Sequence, residues 1–85
     1  QMAHDGMARA IRPAHTMFDG DALFCLATGK IELPETPGTF ISPWAKCLND
    51  LGHAAANCVS RAIIHTVLSA RSLAGMTAFC DLEDR

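Results

Sequence analysis

Two carboxylates separated by a single glycine, in the stretch Asp19-Gly20-Asp21, are the residues of this sequence best suited to chemistry. Carboxylates at the end of a buried strand or helix can accept hydrogen bonds from a reacting group or stabilise a positive charge beside it. They are equally suited to a turn, in which Asp19 bonds the backbone and Gly20 supplies a positive φ angle. The residues by themselves leave both interpretations open.

Other reaction chemistries fit this stretch less well. A calcium loop needs oxygen ligands at alternate positions, and Met17 and Ala22 interrupt that alternation. Carboxylates two residues apart at a turn do not straddle a sugar ring as a glycosidase pair does. The histidines show neither the i, i+4 pair nor the His-x-His spacing of a zinc site; they are His4, His15, His53 and His65. We therefore expect no metal and no cofactor.

Three elements surround the Asp-Gly-Asp stretch. The apolar spacing predicts a first helix over residues 2–12, ended by Pro13. Residues 22–28 are apolar without alternation, which is typical of a strand buried on both faces. A proline-rich loop is expected over residues 31–39, and Ser42-Pro43 then begins a long helix that ends near Ser69 or Arg71. Gly75 is the expected stop beyond its last turns.

The long helix and the strand both predict that this chain is part of a larger fold. The chain has 85 residues, 49% of them hydrophobic and 6% aromatic, so it allows one domain with a small, alanine-rich core. The small residues around Gly52 and Ala56 predict close approach by another element, and the C-terminal half of the helix is expected to be the more buried half. Because a single apolar strand cannot satisfy its own backbone, we expect it to join a sheet supplied by another segment or chain.

Charge and cysteine usage exclude several partners. The net charge of −2, the pI near 6.0 and the scattered basic residues give no footprint for nucleic acid or an anionic membrane. No stretch is long and apolar enough for a membrane span, and no signal-peptide pattern opens the chain. The four cysteines lack Cys-x-x-Cys spacing, which favours reduced, buried thiols in the cytoplasm over disulfides.

The ordered run of residues from the first helix to the loop closely resembles one family, the self-cleaving aminopeptidases. That family includes L-aminopeptidase/D-esterase, the β-peptidyl aminopeptidases and nylon-oligomer hydrolase. The resemblance lies in Ala3-His4-Asp5-Gly6-Met7-Ala8-Arg9-Ala10-Ile11-Arg12-Pro13-Ala14-His15-Thr16, Phe18-Asp19-Gly20-Asp21, Phe24, Ala27-Thr28, Leu33-Pro34 and Thr36-Pro37-Gly38. The long helix and the tail match mainly by pattern.

The resemblance implies an α+β fold in which residues 1–85 form part of a small C-terminal subunit. This chain would contribute helix, strand and long helix to a four-layer αββα sandwich shared with a large subunit, and the αβ units would form a homo-oligomer. It also implies that the precursor cuts itself to free an N-terminal serine or threonine, which attacks short peptides or amides through an acyl-enzyme. Asp19 and Asp21 would then be catalytic, accepting hydrogen bonds from the hydroxyl or amine of that nucleophile.

The sequence departs from the family pattern at its first residue. It begins with Gln1, within the expected first helix, and contains no N-terminal serine or threonine. We therefore expect the nucleophile and its strand to lie elsewhere and this chain alone to be inactive. Two other functions stay open: a non-catalytic assembly module of the same fold, and an acyltransferase of the ornithine acetyltransferase type.

Overall fold

The computed structural model describes residues 1–32 and 42–82, which form two packed helices and a short 3₁₀ helix. Helix α1 spans His4–Ala10 and helix α2 spans Pro43–Ser69. The 3₁₀ helix, Phe79–Asp81, follows an isolated antiparallel bridge between Leu73 and Met76. The fold is therefore a long helix with a short helix laid across it.

Helix α1 is shorter than the predicted range of residues 2–12. Its first residues form a tighter turn, with the His4 N–H donating to the Gln1 carbonyl at 3.1 Å. At the other end Ile11 is extended, with φ −122° and ψ 121°. This early end agrees with Pro13, since proline disfavours helical geometry in the residue before it.

Helix α2 begins at Pro43 and ends at Ser69, within the range predicted from the sequence. Ser42 is the N-cap residue as expected, although its side chain makes no capping hydrogen bond. The expectation that Gly75 stops the helix is wrong, because the chain is already extended at Ala70. Gly75 instead lies in the tight turn closed by the Leu73–Met76 bridge, where its φ of 79° suits glycine.

The two helices approach so closely that glycine is required at their contact. A Cβ atom on Gly6 of α1 would lie 2.1 Å from the Ala56 carbonyl oxygen of α2. Ala56 and Met7 are buried at this contact, and Arg9 donates a 2.7 Å hydrogen bond to the Asn57 side chain. The small residues in the middle of α2 thus accommodate another helix, as the sequence predicted.

Burial is concentrated at this contact and not in the C-terminal half of α2. Ile64, Val67 and Leu68 stay exposed, so the prediction of greater burial in that half is wrong for the described chain. The reason is geometric: α1 covers the middle of α2, and among the described helices only the short 3₁₀ helix packs on the C-terminal end of α2.

Residues 22–28 do not form the predicted strand. They make no backbone ladder with any of the described residues, and Phe24 and Leu26 are 94% and 88% exposed. A strand exists only when a second strand satisfies its backbone, and none of residues 1–32 and 42–82 provides one. Both predicted helices are observed, whereas the α+β fold class stays a prediction. Most of the predicted loop over residues 31–39 falls outside the described residues.

The cysteines are more accessible than predicted. No disulfide links any two of the described residues, which include all four cysteines. Cys25 and Cys58 are exposed, and Cys80 donates its thiol to the Leu68 carbonyl oxygen at 3.1 Å. The prediction of burial is therefore wrong for these three thiols, since little of this surface is covered by the rest of the chain. None of the helices described is long and apolar enough to cross a membrane.

Candidate active site

The Asp-Gly-Asp stretch begins at the end of a tight turn that runs from Thr16 to Asp19. The Asp19 N–H donates to the Thr16 carbonyl oxygen at 3.2 Å, which closes the turn. Met17 and Phe18 form its tip and are almost fully exposed. The turn therefore places the Asp19 side chain back over the Thr16 backbone.

The carboxylate of Asp19 is held by two donors from one residue. Its Oδ2 accepts the Thr16 N–H at 2.9 Å and also accepts the Thr16 hydroxyl. The hydroxyl oxygen in turn accepts the Phe18 N–H at 3.3 Å. The bond from the Thr16 N–H back to the Asp19 side chain is one half of a capping box; the other half is absent here, because the Thr16 hydroxyl accepts the Phe18 N–H and not the Asp19 N–H.

The arrangement differs from the turn expected from the sequence. Asp19 bonds backwards to Thr16 and not forwards in an Asx turn, and Gly20 does not have the positive φ angle that was predicted for it. The interpretation missed Thr16, although its spacing from Asp19 in Thr16-Met17-Phe18-Asp19 was a readable capping-box signal.

The same hydrogen bonds keep Asp19 ionised. The Thr16 hydroxyl is the largest cause of a lowered pKa for this carboxyl, followed by the Thr16 N–H, while slight desolvation opposes them and His15 adds a small attraction. The lowered pKa means that the carboxylate form is favoured by the fold.

We expect the titration of Asp19, followed by NMR of its carboxyl carbon, to have its midpoint below the ordinary value of 3.8. Because the folded pKa is depressed, the stabilising contribution of this group is complete above the ordinary value and is lost as the pH falls through the folded pKa. Thr16→Val removes the hydroxyl donor and moves the midpoint up. A midpoint for Asp19 that is unchanged by Thr16→Val would contradict this hydrogen-bond assignment.

Asp21 stands in a different environment from Asp19. It is exposed, and no residue within the described parts of the chain donates a hydrogen bond to its side chain. The structure therefore brings both predicted site residues to one exposed stretch but fixes only one of the two carboxylates.

The turn is attached to the helix pair through the residues just before it. Ala14 is buried, with 6% of its surface exposed. The His15 ring lies against the His4 ring of α1, with ring centroids 5.5 Å apart and planes inclined by 45°. Through these contacts, α1 fixes the position from which the Asp19 turn begins.

The described residues bring together no group of three histidine, cysteine or acidic side chains that would suit a metal ion. The His4–His15 contact is a packing of rings and involves no third ligand.

Comparison with known proteins identifies the family. The sequence profile of peptidase family S58 matches residues 1–79, which include both helices and the whole Asp-Gly-Asp stretch. The chain belongs to peptidase family S58. The resemblance to the self-cleaving aminopeptidases is thereby confirmed. No solved structure gives a significant match.

Relatives of this family S58 chain include mycobacterial proteins that are similar along almost its entire length. It is 45% identical to an uncharacterised aminopeptidase of Mycobacterium bovis over 82 residues, covering 94% of this chain and 24% of that protein. A similar aminopeptidase of Mycobacterium leprae is 44% identical over 82 residues, again covering 94% of this chain and 23% of the relative. The chain thus spans about a quarter of the length of these relatives.

A second group of relatives carries a different name. The chain is 49% identical to a 6-aminohexanoate-oligomer endohydrolase of Paenarthrobacter ureafaciens over 39 residues, which is 46% of this chain and 11% of that enzyme. Aminopeptidases and an oligomer endohydrolase both occur among the relatives of this family S58 chain.

Proposed function

We propose that this chain is part of an N-terminal-nucleophile aminopeptidase or amidohydrolase and supplies Asp19 and Asp21 to its active site. The observation that carries this proposal is the match of the family S58 profile over residues 1–79, which includes the whole Asp-Gly-Asp stretch. The names of the relatives, aminopeptidase and 6-aminohexanoate-oligomer endohydrolase, support substrates that are short peptides or amides.

In the proposed reaction, the hydroxyl oxygen of an N-terminal serine or threonine outside these 85 residues attacks the amide carbonyl carbon. The α-amine of the nucleophile takes the hydroxyl proton and passes it to the leaving amine as the C–N bond breaks. The acyl group remains as an ester on the nucleophile, and water then hydrolyses that ester. Self-cleavage of a precursor would free the nucleophile in the first place.

The role of Asp19 follows from its geometry. Its carboxylate is ionised and held on one oxygen, so it is suited to accept a hydrogen bond from the nucleophile's amine or hydroxyl and to stabilise the protonated amine. Asp21, two residues further along, is proposed to supply a second acceptor.

A larger assembly is part of the same proposal. The exposed apolar residues of the segment 22–28 support its pairing with a sheet in a large subunit, as in a four-layer αββα sandwich. The exposed end of α2 supports further cover by that subunit or by another αβ unit.

The test combines mass and activity measurements on the complete protein. We expect intact-mass spectrometry to find two subunits, with the smaller one starting at serine or threonine. Release of p-nitroaniline from alanine and β-alanine p-nitroanilides, and of amine from a 6-aminohexanoate dimer, should accompany it. A single uncleaved chain without activity would favour an assembly module, and transfer of the acyl group to an added amino acid in preference to water would favour an acyltransferase.

A further inference from the structure

The orientation of the Thr16 hydroxyl is fixed by its neighbours. Because the ionised Asp19 carboxylate can only accept, the Thr16 hydroxyl donates its hydrogen to Oδ2, while Oγ1 accepts the Phe18 N–H. The Thr16 backbone N–H donates to the same carboxylate oxygen at 2.9 Å. One threonine thus places two donors on Oδ2 of Asp19.

The other oxygen of this carboxylate is left open. Among the described residues no donor reaches Oδ1 of Asp19, since both bonds to this side chain end on Oδ2. Two donors on one oxygen fix the carboxylate group while its second oxygen keeps its full capacity to accept hydrogen bonds. Buried Ala14, two residues before Thr16, attaches this unit to the helix pair.

We propose that Thr16 is a positioning residue for the active site: it holds Oδ2 of Asp19 so that Oδ1 is presented to the nucleophile. This proposal rests on the proposed hydrolase function. Thr16 acts through Asp19 and touches neither the substrate nor the reacting atoms. Its hydroxyl is the part that matters, because the backbone N–H remains in any variant except proline.

The test compares Thr16→Val with Thr16→Ser in the complete protein, using an aminoacyl p-nitroanilide that the unmodified protein cleaves. Valine has the shape of threonine without the hydroxyl. We expect Thr16→Val to lower kcat by about tenfold, with KM within about twofold of the unmodified value, because a loosened carboxylate misplaces the nucleophile without touching the substrate. The NMR titration midpoint of Asp19 should also move to higher pH, since Asp19 loses the donor that most lowers its pKa.

Thr16→Ser keeps the hydroxyl and should retain the kcat and the Asp19 titration midpoint of the unmodified protein. Thr77→Val is the matched control, because Thr77 is exposed and donates no side-chain hydrogen bond to any described residue. Thermal melting of each variant shows whether it folds.

Three results would overturn the proposal: an unchanged kcat and an unchanged Asp19 midpoint in Thr16→Val, a lower kcat with an unshifted Asp19 midpoint, or a loss of kcat in Thr16→Ser equal to that in Thr16→Val. If Thr16→Val does not fold, an equal loss of kcat in a folded Thr16→Ser variant still overturns the proposal. Failure of the proposed function would look different, because the unmodified protein would then cleave none of the amides tested.

Discussion

Asp19→Asn in the complete protein is expected to lower kcat for amide hydrolysis by roughly 10²–10⁴-fold, the usual contribution of a group that assists proton transfer. Asparagine keeps the size of the side chain and can still accept the Thr16 donors on its carbonyl oxygen. It removes the negative charge, however, and replaces the open oxygen Oδ1 with an amide that donates. A protonated amine on the nucleophile would then lose its counter-charge.

The measurement is kcat on an aminoacyl p-nitroanilide, with Asp21→Asn studied in parallel. Asp50→Asn is the matched control, because Asp50 is also exposed and its one polar partner among residues 1–32 and 42–82 is Lys46, in a 3.8 Å ion pair along α2. Such pairs contribute about 0.2–0.5 kcal/mol to helix stability, so the control should keep full activity. Full activity in both Asp19→Asn and Asp21→Asn would remove these residues from the mechanism.

Gly6→Ala is expected to destabilise the protein by about 1–3 kcal/mol, the usual cost of overpacking a close contact. The added Cβ would lie 2.1 Å from the Ala56 carbonyl oxygen, 2.9 Å from its carbonyl carbon and 3.0 Å from the Ser60 nitrogen. All three are backbone atoms of α2, so the helices themselves must separate. Alanine is intrinsically better than glycine inside a helix by about 0.5–1 kcal/mol, and a net loss therefore reports the contact alone.

Gly52→Ala is the matched control for this change, since it adds the same methyl group to the facing helix. Its Cβ would meet the Sδ atom of Met2 at 2.4 Å, and this atom lies near the end of a flexible side chain that can turn away. We expect an unfolding free energy equal to or above that of the unmodified protein, measured by chemical denaturation. Equal losses in both variants would mean that α1 does not approach the α2 backbone as described.

The helices could be predicted because their signals are local. Ser42 and Pro43 correctly indicated the start of α2, and Pro13 indicated the end of α1. The close contact was also readable, since the small residues near Ala56 leave space that only a neighbouring backbone fills. At these positions the local sequence signals and the packing of the helices favour the same structure, so the helices and their contact were predicted correctly.

The candidate site was predicted only in part. The catalytic role of Asp19 and Asp21 stays a prediction, and the predicted direction of the Asp19 hydrogen bonds was wrong. A glycine beside an aspartate favours a forward turn on propensity, whereas the structure uses Thr16 on the other side. The Thr16–Asp19 spacing and the Asp19-Gly20 pair are two competing local signals, and residue types do not rank one above the other.

The strand over residues 22–28 shows where sequence reasoning depends on a partner. The apolar run can be recognised in the sequence, but a strand forms only when its backbone hydrogen-bonds to a second segment. The described residues offer no second strand, so the segment forms no strand and is exposed. Its conformation in an assembly stays a prediction.

That exposed segment also has a consequence for the protein's life in a cell. Uncovered apolar side chains such as Phe24 and Leu26 are what chaperones bind and proteases cut first. In the proposed assembly, a chain whose segment 22–28 is covered by a large subunit would be protected, and an uncovered chain would be removed. The steady-state amount of this polypeptide would then report how many copies have assembled.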